Sequence, residues 1–138
     1  MVNEWVKVEL YGQNGDGQQR RYTIADAASV SKGTLLALSD PRTAAASTGA
    51  TLVFAGVAAE SHSPNIGVTT ISAWTQGVFE AAASLAIGIG TPITGNTTKA
   101  TDLNYVAAAS VLMSGASVIG YALEDATTAE TINVRLNL

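Results

Sequence analysis

The 138 residues contain no cysteine, which excludes a disulfide framework and any thiolate-ligated metal site. Histidine occurs once, at His62, and a single imidazole with scattered carboxylates does not make a three- or four-ligand zinc set. Charge is scarce at 13% of residues, against about 25% in ordinary soluble domains. The balance is −4, and Arg20-Arg21 is the only adjacent basic pair. Phosphate recognition needs clustered cations, so neither nucleic acid nor a polybasic membrane attachment is expected. No apolar run approaches the roughly 20 residues of a membrane span. Met1 to Lys7 lacks the basic and apolar regions of a secretory signal, so synthesis in the cytoplasm is expected.

Aromatic residues are also few, at 6%, although hydrophobic residues make up 47%. The core must therefore be built from small side chains. Apolar burial contributes about 25 cal/mol per Å2, so such a core gains little per residue, and association is expected to add stability. The length fits one domain. A neutral surface rich in Ala, Ser, Thr and Gly favours packing against other proteins.

Catalytic patterns in the sequence are weak. Glu60, His62 and a neighbouring serine would need to converge as a triad, yet no Gly-x-Ser-x-Gly elbow is present, and His62 reads as a solvated loop residue. Gly88-Ile89-Gly90 lacks the third glycine of a dinucleotide fingerprint, and no Walker loop occurs. Glu60, Glu80 and Glu124 end similar strand segments, where capping or solvent-facing carboxylates are commoner than a paired acid/base site. The expectation is a non-enzyme with no cofactor and no metal.

Period-2 alternation marks strands at both ends of the chain. Val6, Val8 and Leu10 alternate with Trp5, Lys7, Glu9 and Tyr11. Gly12 to Gly17 supplies Asn-Gly and Asp-Gly turn dipeptides, and Gln18 to Ile24 returns as a second strand. Residues 1–26 thus read as an N-terminal hairpin or arm. At the other end Ile132, Val134, Leu136 and Leu138 are predicted to face inward. Between these lie predicted strands at Thr34 to Leu38, Leu52 to Glu60, Gly67 to Trp74 running into Gln76 to Glu80, and Ile87 to Ile93. A helical turn capped by Asp26 is expected over Ala25 to Ser31, and another over Glu80 to Ala86. Leu103 to Met113 is ambiguous between helix and strand.

Two segments echo each other: Phe54-Ala55-Gly56-Val57-Ala58-Ala59-Glu60 and Val118-Ile119-Gly120-Tyr121-Ala122-Leu123-Glu124. Gly33-Thr34-Leu35-Leu36 precedes the first, and Gly90-Thr91-Pro92-Ile93 precedes the second. This order suggests an internal duplication of a small β unit, with Gln76 to Glu80 as the strand joining the halves. Gly56, Gly77, Phe79, Gly120 and Glu124 are the signature positions of these strands.

The strands Gln76-Gly77-Val78-Phe79-Glu80, Gly90-Thr91-Pro92, Val118 to Glu124 and Val134-Arg135-Leu136, in this order, resemble those of the small head-decoration, or capsid cement, proteins of tailed phages. The resemblance covers roughly Ser31 to Leu138. It implies a mainly β, small β-barrel-like (β-tulip-like) single domain over 27–138. It also implies a place on the outer surface of the head, where the protein stabilises the expanded shell. The implied partners are the major capsid protein and the protein itself as a homotrimer, with no catalysis and no cofactor. The arm matches least; Trp5, Val6, Val8, Leu10 and Tyr11 are its candidate contacts with the shell or a neighbouring subunit. Trp5 and Tyr11 are expected as aromatic anchors, unless Trp5 covers the end of its own barrel. A tail or baseplate component, or a shell protein of another assembly, shares this composition. A carbohydrate-binding β domain would need exposed aromatics, and only Trp5, Trp74 and four tyrosines are available.

Overall fold

A computed structural model describes residues 4–9, 18–47, 53–83, 85–95, 106–108, 118–128 and 130–138. Ten strands form one sheet: β1 (Val6–Glu9), β2 (Gln18–Thr23), β3 (Leu35–Asp40), β4 (Thr43–Ala46), β5 (Phe54–Ala58), β6 (Thr70–Ala82), β7 (Pro92–Gly95), β8 (Val106–Ala108), β9 (Gly120–Ala122) and β10 (Thr131–Asn137). The domain is small and mainly β, and there is no helix among the described residues. Strands β2, β4, β3, β5 and β6 pair in a closed circuit, an uneven ring of five strands rather than a regular barrel.

The second half of the chain repeats this circuit. It runs β6, β10, β9, β7, β8, and a parallel bridge from Val106 to Ala83 brings it back to the end of β6. The parallel Thr23–Thr43 pair of β2 and β4 is the counterpart of that bridge.

The hydrogen bonds repeat in detail. Gly33 N donates to Ala58 O at 2.8 Å, and Gly90 N donates to Ala122 O at 2.8 Å. Val30 and His62 exchange two backbone bonds, as do Ile87 and Ala126. Ile24 N donates to Thr69 O, and Ala83 N donates to Glu130 O. The two halves are therefore two copies of one β unit. The thirteen-residue β6 belongs to both, its first half completing the first ring and its second half opening the second.

The core follows the duplication. The first ring encloses Ile24, Val30, Leu36, Ala44, Ala55, Ala58, Ile71 and Ala73. Their counterparts Ala83, Ile87, Ile93, Val106, Ile119, Ala122, Ile132 and Val134 lie in the larger cluster of the second ring. That cluster also takes in Leu35, Phe54 and Val57 from the outer face of the first unit. All five residues of β5 are consequently buried, because one face fills its own ring and the other caps the second. The equivalent outer face of the second unit does not pack in this way. There Pro92 and Arg135 are exposed and Tyr121 is half-buried.

Four expectations are corrected, the first being the strand over Ile87 to Ile93, where the chain turns over Gly88 to Thr91 and enters β7 only at Pro92. Among the described residues β1 and β2 do not pair with each other as a hairpin: both pair with β6, end to end along the edge that β10 leaves free. Glu80 to Ala82 stay in β6 instead of turning, because Asn133, Ile132 and Thr131 of β10 pair with them; helix propensity is a weak prior that tertiary pairing overrides. Ala25 to Ser31 form a turn held by Ala28 N to Ala25 O. Asp26 does not cap it but accepts from Gly67 N at 2.9 Å across the chain. Strand β8 falls within the ambiguous Leu103 to Met113; the rest of that stretch lies outside the described residues.

Candidate interaction surface

Strand β1 starts where Trp5 N donates to Gly33 O at 2.7 Å. The Trp5 ring is turned inward and only 4% exposed. Its centroid lies 6.0 Å from that of Phe79 at a tilted 56°, a favourable aromatic geometry. Trp5 thus packs into the larger core cluster of its own chain, which is the alternative to its reading as an aromatic anchor on another chain. Because side chains alternate in a strand, the same register turns Val6 outward at 56% exposure, and Val8 is 50% exposed. Lys7 Nζ lies 5.6 Å above the Trp74 ring, so this indole carries a cation and does not form a bare sugar platform. Leu10 and Tyr11 lie outside the described residues.

Val6 stands between two shallow clefts. One, of about 210 Å3, is lined by Glu4, Val6, Glu80, Ala81, Ala82 and Thr131. The other, of about 370 Å3, is lined by Glu4, Trp5, Val6, Lys7 and Lys32. Among the described residues β1 pairs only with β6. The surface is therefore an edge strand carrying exposed valines, with carboxylates and ammonium groups interspersed.

The signature residues hold the sheet together. Gly56 has φ 144° and Gly77 has φ 143°, backbone that favours glycine. At Gly77 the chain passes from one ring to the next, and the registers of both β1 and β2 shift beside it. Phe79 is buried against Trp5. Glu124 Oε2 accepts from Asn133 N at 2.9 Å, and Glu60 Oε1 accepts from Ser72 N at 3.0 Å. These two are equivalent strand-end caps. Glu80 is not their counterpart, since it lies within β6 opposite Val6 and Asn133.

His62 departs from its sequence reading. It is 4% exposed, with Nδ1 2.7 Å from Ala28 O and Nε2 2.7 Å from Val68 O. Hydrogen bonds to the Val68 and Ala28 carbonyls, with the charges of Asp26 and Glu60, hold its pKa above the ordinary 6.5. Ser61 Oγ accepts from Lys32 N at 2.9 Å and Glu60 from Ser72 N, so the three residues face three different partners and form no relay. The histidine was missed because the flanking Ser61 and Ser63 gave it a loop signature. Its burial depends on a contact with Ala28, 34 positions away. Among the described residues no three His, Asp or Glu side chains are grouped to hold a metal.

The described residues form a single, mainly β domain made of two duplicated five-stranded units that share a central strand. No family model and no curated protein matches the chain in sequence. Among solved structures it is similar to the head fiber gp8.5 N base of bacteriophage phi29, with a TM-score of 0.54 and 16% identity over 86% of this chain and 94% of that one. At this identity the likeness is one of fold.

Proposed function

We propose that the protein is a structural component of a tailed-phage head, binding the outer surface of the shell and stabilising its expanded form as a decoration or cement protein. The observation that carries this reading is the likeness in fold, over nearly the whole of both chains, to a head fiber base. The ordered strand motifs and the scarcity of charge support it. The partners are the major capsid protein and further copies of the chain, as a homotrimer. Nucleic acid, membrane, cofactor and catalysis have no part in the role. The protein is made in the host cytoplasm and resides on the virion.

Attachment uses the outward edge of β1. An edge strand accepts a strand of another chain through main-chain hydrogen bonds, with alternate side chains giving specificity; Val6 and Val8 are those side chains here. Contact of this kind involves few ion pairs and weakens little as salt rises. Within the trimer, the outer face of the second unit around Pro92 and Tyr121 meets the next subunit, as the first unit's equivalent face meets the second ring inside the chain. Several modest contacts made together render local opening of the shell costly.

Co-sedimentation with undecorated heads, expanded and unexpanded, at low and high salt tests the reading. Saturable, salt-tolerant binding to expanded heads alone is expected; no binding to either form would reassign the protein to a tail, a baseplate or another assembly. The fold likeness also favours a second reading, in which the chain is the base of a head fiber. Electron microscopy of the particles separates the two, by compact knobs in the first case and elongated projections in the second.

A further inference from the structure

We infer that His62 is a proton-held clasp, a doubly protonated imidazole that fastens the segment from Ser63 to Thr69 onto the first ring and releases it as the pH rises. The inference is independent of the proposed function.

The argument starts from hydrogen-bond chemistry. A backbone carbonyl oxygen only accepts, and a neutral imidazole has a single N–H to give. Both ring nitrogens of His62 face carbonyl oxygens at 2.7 Å, Ala28 O on one side and Val68 O on the other. Only the imidazolium satisfies both. A neutral ring would set a lone pair against a carbonyl lone pair in a site that is 4% exposed. Exchanging the two nitrogens by a ring flip changes nothing, because both partners are acceptors.

The duplication supplies an internal control. The Val30–His62 bridge corresponds to the Ile87–Ala126 bridge, and Thr69 corresponds to Glu130. Six residues separate His62 from Thr69, whereas three separate Ala126 from Glu130. The first unit thus carries a three-residue insertion, and it carries a histidine where the second has alanine. The ring reaches from one side of this insertion to the other.

Further bonds hold the same segment. Asn65, at φ 60°, donates its N–H to Asp26 O at 2.7 Å, and Gly67 N donates to Asp26 Oδ1 at 2.9 Å. Ile66 at the tip is 61% exposed and Val68 is 42% exposed. The clasp therefore fixes where an apolar tip stands on the surface. The charged groups facing His62 are Asp26 from the turn after β2, Glu60 from its own segment, and Arg21 of β2, which lines the same cleft. The two carboxylates favour the cation and Arg21 opposes it.

The sign follows from the geometry. The clasped state binds the proton more tightly than the released state, in which the imidazole has its ordinary value near 6.5. The clasp is at full strength below that value. Above it, the opening equilibrium rises up to tenfold per pH unit until the pH passes the raised pKa, and then levels off.

The test is an NMR titration of the full chain. His62 is the only histidine, so its ring signals need no assignment. The expected result is a midpoint above that of free imidazole and two protonated ring nitrogens at pH 6. In parallel, hydrogen-exchange protection of the Asn65 and Gly67 amides should fall with pH across that window, while amides of β10 stay unchanged. His62→Ala, which reproduces the second unit's Ala126, should fold and lose the pH dependence of this segment. A midpoint at or below that of free imidazole, a neutral-tautomer signature at pH 6, or pH-independent protection of Asn65 and Gly67 would overturn the inference. If the variant does not fold, the titration of the native chain decides.

Discussion

Gly56 and Gly120 occupy the same position in the two units, each pressed against a carbonyl of the neighbouring strand. A Cβ on Gly56 would collide with Trp74 O, and one on Gly120 with Arg135 O. Trp74 and Arg135 are themselves equivalent, facing Val57 and Tyr121 in register. The repeated glycine is therefore a packing requirement stated twice.

Gly56→Ala and Gly120→Ala should each destabilise the fold by about 3 kcal/mol or prevent folding, since the obstruction is backbone that cannot rotate away. Urea denaturation measures this. Gly90, with no atom near a Cβ but φ 78°, should cost less on substitution by Ala, about 1 kcal/mol from backbone strain alone.

Trp5→Ala removes a buried indole and should cost about 3 to 5 kcal/mol. A double-mutant cycle with Phe79→Leu should show coupling of about 0.5 to 1.5 kcal/mol. Residues 4–9 are thus part of the fold. Deleting Met1 to Gly12 should lower thermal stability sharply before any loss of shell binding can be read, and a deletion with an unchanged melting temperature would contradict this.

Val6→Lys and Val8→Asp should leave stability within about 0.5 kcal/mol, because both side chains already face solvent and a lysine opposite Glu80 meets no like charge. The same substitutions should abolish co-sedimentation with expanded heads. Retained binding would remove β1 from the attachment surface.

Thr34→Val should stabilise the protein by about 1 kcal/mol. The hydroxyl is buried, 1% exposed for the residue, with no hydrogen-bond partner among the described residues. Valine keeps the shape and removes an unsatisfied polar group. A loss of stability in thermal melts would mean that the hydroxyl has a partner.

Much of this architecture was legible because it is written locally. The alternation of Ile132, Val134 and Leu136 needed only the period of a strand, and all three are buried. The echo around Gly56 and Gly120 was readable because each copy makes the same close approach. The alternation at Trp5 to Glu9 identified a strand but not which face is inward. Val6 and Val8 form the more regular apolar row, yet the single indole of Trp5 covers more area and takes the core.

Strand periods, the repeated glycines and the small-residue core are local properties, since each follows from the sterics of a residue and its near neighbours. That β1 and β2 share one edge of β6, that Glu80 to Ala82 extend a strand, and that His62 is buried between two carbonyls are properties of the assembled fold. Each depends on a partner brought close by the fold, and an isolated stretch of chain carries no record of the backbone that will lie beside it.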